Sequence, residues 1–456
     1  MSFVVSSGAA SAAAGARSSL YRAIWRWHFF AGLVSVPFMI LLAVTGSVYL
    51  FKNEINGSLF AYRNVVPAKP VARQPPSRLA DAALAAVPGS QLKSYTDPAS
   101  TTASARVDVT VADRKTIVFL DPYTGRVLDT VDAEREPMFV ARKLHSLVYF
   151  GTFASYVVEA VAGFALVLVV TGIYLWWPRH RGGGVVSLRG TPSARVWWRD
   201  LHAVTGVVAG ALIFFLAATG MPWSKFWGSH VQEYAAGAGL SYPPALWDDV
   251  PTSTVPMSEA TSRPGWAVET APVPASIPST TPPIGLDRAV AIARQRGIGP
   301  GFETTVPGSP SGVYTAALFP ADLAQERTIH IDQYTGEPLV DLAFRDYGPI
   351  GKAIEFGVNV HTGQQWGRAN QLLMLATCLA LVVSSVAAVV MWWKRRPVGR
   401  VGVPPYPAER RVYTALWIAA ATLGLAFPMT GAAIGLMLAL DFAVILTVPP
   451  LRRAFS

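Results

Sequence analysis

The chain of 456 residues is 52% hydrophobic and only 14% charged, which is too apolar for an ordinary soluble protein. Its formal net charge is +10, but the basic residues lie beside the apolar runs, so the charge reflects membrane topology and we exclude nucleic acid as a partner. The single cysteine excludes internal disulfides, cysteine-ligated iron–sulfur clusters and four-cysteine zinc sites.

Runs of about 18 or more mostly uncharged residues are long enough to cross the hydrocarbon core of a bilayer. Such runs predict spans at residues 29–51, 157–177, 204–223 and 372–393, and a two-span hairpin at 412–448 that turns at Pro428. Arg and Lys cluster before the first span, between the second and third, and between the fourth and fifth. The positive-inside rule therefore places both termini in the cytoplasm.

Two long segments face outward, and each has a helix-like run followed by an alternating strand pattern. Each strand pattern ends in Asp-x-Tyr-Thr-Gly, at residues 121–125 and 332–336. The aspartate can bond to its own turn and the glycine can take positive φ, so the motif predicts a hairpin turn. We predict two copies of a small α+β module, with the Pro-rich residues 268–283 as a linker or loop in the second.

The predicted fold class is a membrane α-helical bundle of about six spans with two small outer α+β modules, in which a span–module–span unit occurs twice. In chain order we expect a disordered N-terminus (1–17), a first span (18–51), module 1 (52–142), a second span (143–178), a basic loop (179–199), a third span (200–223), module 2 (224–360), a fourth span (361–394), a second loop (395–411), a two-span hairpin (412–448) and a tail (449–456).

Four of the seven histidines recur at helix ends. His28 and His202 each precede a Thr-Gly pair by 17 and 18 residues, whereas His145 and His361 each precede a Trp-Trp pair by 31 and 32 residues. The predicted topology places the first two near the cytoplasmic face and the other two near the outer face. The remaining histidines do not recur and are predicted to be structural; they are His180, His230 and His330.

Two imidazoles that face one another near membrane depth need a partner between them. A b-type haem takes two axial histidines without covalent attachment to cysteine. Gly32 and Gly206, one helical turn after His28 and His202, would leave room for the macrocycle. The pattern predicts two b-type haems with bis-histidine iron, one at each face. A transition-metal site and interfacial histidines bonded to headgroups or carbonyls remain alternatives.

The combined motifs resemble the PepSY-associated transmembrane family. They are His28 with Gly32 and Thr45-Gly46, Arg-Asp-Leu-His at 199–202, Leu-His at 144–145, His361-Thr-Gly-x₂-Trp-Gly, and both Trp-Trp-[Pro/Lys]-Arg ends. The resemblance covers nearly the whole chain after about Ser18, and the outer modules resemble PepSY domains. One departure is Ala387-Ala388, where the second span has Thr171-Gly172; we expect it to affect packing rather than ligation.

The best-understood members of that family are di-haem reductases of ferric siderophores in the bacterial inner membrane. The resemblance implies periplasmic modules and haem ligation by His28, His202, His145 and His361. It also implies electron transfer from a cytoplasmic-side haem to an outer haem, and then to a ferric siderophore or another Fe(III) chelate, with Fe(II) released for uptake.

Several residues near the predicted ligands are further candidates. Electron exit is expected near His145, His361 and Trp366. Arg142 and Arg368 are candidates for bonds to haem propionates, with membrane-end anchoring as the alternative.

Two acids are predicted to lie at membrane depth. Glu159 falls in the second span and is either a functional acid or a group paired with backbone or arginine. Asp441, in the sixth span, is predicted to be structural.

A continuous helix from His145 to Trp176 would be about 46 Å long, which exceeds the hydrocarbon thickness. Strong tilt, an outer haem at or above the interface, and helix breaks near Gly151 and Gly367 are the alternatives.

No dinucleotide-binding glycine motif follows a strand, so no flavin or nicotinamide domain is predicted and a separate donor, a cytoplasmic reductase or a quinol, must supply electrons. Two other functions stay open: a siderophore transporter or permease accessory, and a non-enzymatic regulator built on PepSY modules.

Overall fold

The computed structural model describes residues 5–178, 185–261, 264–404, 410–440, 447–450 and 453. Its helices are α1 (Val5–Leu50), α2 (Lys52–Ser58), α3 (Ala61–Asn64), α4 (Pro76–Ala86), α5 (Pro137–His145), α6 (Thr152–Trp176), α7 (Arg195–Gly220), α8 (Trp227–Gly237), α9 (Met257–Ala260), α10 (Leu286–Gln295), α11 (Pro349–His361), α12 (Arg368–Arg395), α13 (Arg410–Ala426) and α14 (Pro428–Leu440). Its strands are β1 (Gln91–Thr96), β2 (Ala105–Val111), β3 (Arg114–Leu120), β4 (Val127–Asp132), β5 (Thr252–Pro256), β6 (Pro272–Pro274), β7 (Glu303–Thr305), β8 (Val313–Leu318), β9 (Arg327–Asp332) and β10 (Pro338–Ala343).

The chain divides into two compact units. The helical unit comprises Met1–Ser47, Leu144–Ser229 and Leu372–Ser456, and the sheet unit comprises Val48–Lys143 and His230–Gln371. The unit boundaries follow the predicted alternation of spans and modules along the chain.

Among the described residues, four helical segments are long and apolar enough to cross a membrane. They are Ser19–Leu50, Thr152–Trp176, Arg195–Trp223 and Arg368–Arg395, and they correspond to the first four predicted spans. The hairpin helices α13 and α14 are shorter, and Pro428 begins α14, at the predicted turn. The fifth and sixth spans stay a prediction, and Asp441 lies outside the described residues.

The described part of the N-terminal stretch is helical. Residues 1–17 were expected to be disordered, but α1 begins at Val5. Alanine has the highest helix propensity of all residues, and this stretch is rich in it. The described part of the stretch is therefore a helical extension of the first span.

The overlong helix predicted to start at His145 is broken. α5 ends at His145, and the backbone passes through positive φ at Leu147 (53°) and Gly151 (85°) before α6 begins. The same break separates α11 from α12, with Trp366 (60°) and Gly367 (61°) at positive φ. Of the three alternatives, helix breaks are the one observed, so the second and fourth spans begin later than the predicted residues 143 and 361.

The helical unit has its own apolar core. Met39 of α1 packs with Val161 and Ala165 of α6, and residues of α7 and α12 complete the cluster. α14 lies so close to α6 that a Cβ on Gly163 would overlap the side chain of Thr430. This glycine therefore sets how closely the hairpin helix can approach.

The two predicted modules form one continuous sheet rather than two separate ones. Its strand order is β10-β9-β8-β7-β1-β2-β3-β4. Each half is a helix followed by a four-stranded antiparallel meander, α4 with β1–β4 and α10 with β7–β10. Antiparallel pairing of β1 with β7 joins the halves, with Tyr95 opposite Thr304. The pairing removes one exposed edge from each half.

Both Asp-x-Tyr-Thr-Gly motifs form hairpin turns, as predicted. Asp121 accepts a bond from the backbone N–H of Tyr123 at 2.8 Å, and Asp332 accepts from Tyr334 at 2.8 Å. The motif glycines, residues 125 and 336, have φ of 74° and 77°. The turns connect β3 to β4 and β9 to β10.

The linker predicted at residues 268–283 is partly core. Val268, Ala271 and Val273 are buried, and β6 within this stretch pairs with β5. The prolines limit backbone conformations but do not prevent apolar neighbours from packing. This stretch covers the face of the second half-sheet opposite to α10, in a cluster that includes Val340 and Leu342.

Candidate functional site

His28 and His202 face one another inside the helical unit. Their ring centres are 6.0 Å apart and their planes meet at 69°. Two metal–imidazole bonds of about 2 Å, plus about 1 Å from each bonding nitrogen to its ring centre, would place two axial imidazoles about 6 Å apart. The observed spacing therefore suits one iron atom between the rings.

Thr171 of α6 fixes the tautomer of His28. Its Oγ1 lies 2.9 Å from His28 Nδ1 and donates to the carbonyl of Val167 at 2.6 Å. Because the hydroxyl proton goes to Val167, Oγ1 accepts a bond from Nδ1–H. Nε2 of His28 then keeps its lone pair, and within the described part of the chain it has no hydrogen-bond partner.

Ser384 of α12 fixes the tautomer of His202 through its backbone carbonyl. His202 Nδ1 lies 3.0 Å from the backbone carbonyl of Ser384 and 2.9 Å from its hydroxyl. A carbonyl only accepts, so Nδ1 carries the proton and Nε2 keeps its lone pair. Both facing rings thus present the nitrogen that binds a metal.

Thr45 of α1 holds His145 in the same tautomer. Thr45 Oγ1 donates to the carbonyl of Leu41 at 2.7 Å and lies 3.0 Å from His145 Nδ1. The hydroxyl again accepts from Nδ1–H. Three of the four predicted ligands therefore share one tautomer, each fixed by a group on another helix.

In two Thr-Gly pairs, the glycine makes room for the histidine ring that the neighbouring threonine holds. A Cβ on Gly172 would lie 3.3 Å from His28 Cε1, and one on Gly46 would lie 3.4 Å from His145 Cε1. The predicted glycines are less constrained. A Cβ on Gly32 would lie 3.9 Å from Leu168, and one on Gly206 would lie 3.8 Å from Ser384 Oγ.

The fourth predicted ligand lies in the other unit. His361 is the last residue of α11, in the sheet unit, whereas His145 belongs to the helical unit. Their pairing stays a prediction. Trp366, five residues later, is 68% exposed, has positive φ, and meets Phe356 edge to face at 5.9 Å.

The two candidate arginines have partners within the sheet unit. Arg368 forms an ion pair with Glu54 at 2.7 Å and donates to Gln371 at 3.0 Å. The exposed Arg142 lies over the Phe139 ring, 5.5 Å from its centre. Membrane-end anchoring and propionate binding both stay predictions for these arginines.

Glu159 is used by the backbone. The carboxylate is 1% exposed and accepts bonds from the N–H groups of Phe226 (2.9 Å) and Trp227 (3.1 Å). These N–H groups lie at the start of α8. There a carboxylate accepts bonds from backbone donors that have no partner within the helix, and it interacts favourably with the positive end of the helix dipole. Of the predicted alternatives, pairing with backbone is the one observed.

The other histidines do not join the site. His330 is buried in the sheet, with Nδ1 2.9 Å from Thr315 Oγ1, and His230 is exposed on α8. His180 lies outside the described residues. In the described part of the chain, no three His, Cys, Asp or Glu side chains are grouped to hold a metal ion. Paired imidazoles suit haem iron, whose other four ligands belong to the macrocycle.

Sequence reasoning missed the groups that orient the histidines. The sequence presents Thr45 and Thr171 as parts of repeated motifs, and the signal it offers is a threonine beside a glycine at a fixed offset from a histidine. Ser384 carried no signal, because it lies three residues before the Ala-Ala pair at the expected offset.

A model of a known protein family matches most of the chain. The family model described as PepSY-associated TM region matches residues 25–395. The match includes all four recurring histidines and both halves of the sheet. No curated protein matches the chain.

Proposed function

The chain belongs to the PepSY-associated transmembrane family, and we propose that this multi-pass membrane protein is a two-haem oxidoreductase. It passes electrons from a donor on the cytoplasmic side of the bacterial inner membrane to a ferric siderophore or another Fe(III) chelate in the periplasm. The proposal includes six spans, cytoplasmic termini and a periplasmic sheet unit. The donor is a separate cytoplasmic reductase or a quinol.

The shared tautomer of His28, His202 and His145 is the observation that carries the proposal. A buried histidine that only needs a hydrogen bond can take either tautomer. Here each Nδ1 donates to an oxygen on another helix, and the rings of His28 and His202 face one another at 6.0 Å. Neutral imidazoles oriented by a second group are typical of metal ligands.

Each residue then has a defined task. His28 and His202 hold one b-type haem, and His145 and His361 hold the second. When bound, the haems supply reversible one-electron chemistry. Thr171, Ser384 and Thr45 keep the ligand rings oriented for the iron, and Gly172 and Gly46 leave space for the rings of His28 and His145.

Reduction of the chelate releases its iron, because Fe(II) carries less charge and is held less tightly by hard oxygen ligands than Fe(III). The transporter alternative rested on intramembrane acids, of which Glu159 is committed to two backbone N–H groups. It is therefore not favoured.

The optical spectrum of the purified full-length protein tests haem binding. We expect a sharp b-type α band after dithionite reduction and about two haems per chain by pyridine haemochrome assay. His230→Ala, which changes an exposed histidine, should keep both haems. A protein that stays colourless after haem supplementation during expression would contradict the proposal.

The acceptor is tested separately. Anaerobic, pre-reduced protein is mixed with a ferric hydroxamate siderophore, and the loss of the α band is followed by stopped flow. We expect reoxidation that depends on chelate concentration and yields Fe(II), trapped by a ferrous-specific dye. Reduced haem that is stable in excess chelate would overturn the assignment of an Fe(III) chelate as substrate.

A further inference from the structure

Two glutamates that the proposed function does not use lie buried together in the sheet unit. Glu326 is 2% exposed and Glu355 is 7% exposed. A Cβ on Gly265 would lie 2.7 Å from Oε1 of each, so both carboxyl groups converge on one point. A residue without a side chain is needed there.

Among the described residues, the surroundings of this pair are polar and place no positive charge in an ion pair with it. The Tyr347 hydroxyl donates to Glu326 at 2.8 Å, and the backbone N–H of Ala267 donates to Glu355 at 3.0 Å. Other ionisable groups that act on this cluster are acids, Glu269 on Glu355 and Asp346 on Tyr347. Among the described residues, no Lys, Arg or His forms an ion pair with either glutamate.

Two carboxyl groups this close cannot both ionise easily, and burial adds to the cost. Burial and the neighbouring Glu355 raise the pKa of Glu326 well above its ordinary value. Burial also raises the pKa of Glu355 to about 7. The pair therefore keeps one proton at neutral pH and exchanges a second in the physiological range.

The pair is connected to the predicted outer haem by one helix. Glu355 lies on α11, which ends six residues later at His361, and six residues of α-helix rise about 9 Å. A unit charge at roughly that distance changes a proton-binding constant by on the order of tenfold at an effective dielectric constant of about 20. The separation is short enough for electron and proton binding to influence one another.

We propose that Glu326 and Glu355 form a proton-binding site whose occupancy is coupled to the oxidation state of the iron held by His361, an inference that rests on the proposed function. One electron from the donor and one proton from the periplasmic solvent arrive together, so the net charge at this end of α11 does not change. The proton returns to solvent when the electron passes to the Fe(III) chelate.

Redox titration of the full-length protein at a series of pH values tests the coupling. We expect the potential of one haem to fall as pH rises between about 6 and 8. The slope is at most about 59 mV per pH unit, the value of a tenfold change in proton activity for one electron. Glu355→Gln should flatten this slope, whereas Glu337→Gln, which changes an exposed glutamate of the same unit, should not.

Infrared spectroscopy gives a readout that does not need haem. A protonated-carboxyl band that titrates near pH 7 should be present in the wild type and absent in Glu355→Gln. The test needs only this variant, so it does not depend on whether Glu326→Gln folds. Absence of that band would overturn the proton site. If the haem potential changes equally with pH in the wild type and in Glu355→Gln, the coupling is overturned. Failure to bind haem would overturn the proposed function instead.

Discussion

His28 and His202 lie in similar sequence motifs in the first and second halves of the chain, but different groups hold their rings. In the first half, His28 is held by the Thr171 hydroxyl, which is itself bonded to a backbone carbonyl. In the second half, His202 is held mainly by the backbone carbonyl of Ser384, with the serine hydroxyl beside it. The tautomer of the imidazole is the same, although the group that fixes it differs.

The halves of the sheet unit differ in how they treat buried acids. In the first half, burial alone would raise the pKa of Asp108, but Arg106 and Lys115 hold it below its ordinary value. In the second half, Glu326 and Glu355 have raised pKa values, and no Lys, Arg or His in the described part of the chain forms an ion pair with them. One half buries a neutralised charge, and the other buries a group that can exchange a proton.

The largest expected effect is the loss of a haem. If the facing histidines of the two halves share one iron, His28→Ala and His202→Ala should each lower the haem content from about two to about one per chain. The two variants should also keep the same residual spectrum. Pyridine haemochrome assays and reduced spectra of both proteins measure this. Different residual spectra would mean that the two halves do not share a haem.

The second effect is a stability difference between the halves of the sheet. Glu355 has a pKa of 4.5 when unperturbed and about 7 in the fold, so its stabilising contribution is complete below pH 4.5 and is lost as pH rises to about 7. The loss is on the order of 3 kcal/mol. Asp108 has a pKa lowered from 3.8, so its contribution to the free energy of unfolding stays nearly constant between pH 4.5 and 7.

Thermal unfolding of the full-length protein between pH 4.5 and 7.5 measures that loss. The midpoint should fall as pH rises in the wild type and fall less in Glu355→Gln, which loses the contribution of Glu355 but keeps that of the buried Glu326. Glu337→Gln is the matched control and should follow the wild type. If the unfolding midpoint falls equally in all three proteins, the glutamate pair is not the cause of the fall.

Removing the hydroxyl that orients His28 is the third effect. Thr171→Val should weaken haem binding by about 10- to 100-fold, the usual range for groups that orient a metal ligand. Haem transfer to apomyoglobin measures the loss. Thr205→Val is the matched control, because the Thr205 hydroxyl bonds back to Leu201 on its own helix and should be dispensable.

The corresponding change in the second half should have a smaller effect. Ser384→Ala leaves the backbone carbonyl 3.0 Å from His202 Nδ1, so the tautomer is retained and the loss should stay below about tenfold. The same haem-transfer assay applies. A loss as large as that of Thr171→Val would show that the serine hydroxyl, not the carbonyl, fixes His202.

The smallest effect concerns the glycines. In Gly172→Ala, the new Cβ would lie 3.3 Å from His28 Cε1, which is tighter than ordinary contact, whereas in Gly206→Ala it would lie 3.8 Å from Ser384 Oγ. We expect a few-fold loss of haem affinity for the first and none for the second. The low-spin haem signal in electron paramagnetic resonance should shift only in Gly172→Ala.

The features that the sequence predicted are those encoded locally. The family is confirmed, and the four long spans and both Asp-x-Tyr-Thr-Gly turns follow from runs and motifs within short windows. Features that depend on distant residues were missed. Glu326 and Glu355 are 29 residues apart, and the sequence does not show that Gly265 lets their carboxyl groups meet. The Pro-rich composition of residues 268–283 predicts a linker or flexible loop, because composition does not reveal burial.

The orientation of the candidate ligands was predicted only in part. The spacing of His28 and His202 predicted that they face one another, which the structure shows. Helical periodicity does not say which oxygen will lie opposite Nδ1, because that depends on how two helices are rotated against one another. Ser384 could therefore be identified only from the packed helices.

The pairing of β1 with β7 imposes an order on biosynthesis. β1 ends at residue 96 and β7 begins at residue 303, so about two hundred residues, including two spans, must leave the ribosome before the sheet can close. Until then β1 is an open edge, which is prone to pair with other chains. Insertion of the third span and delivery of β7 are thus the steps that protect the nascent chain from aggregation.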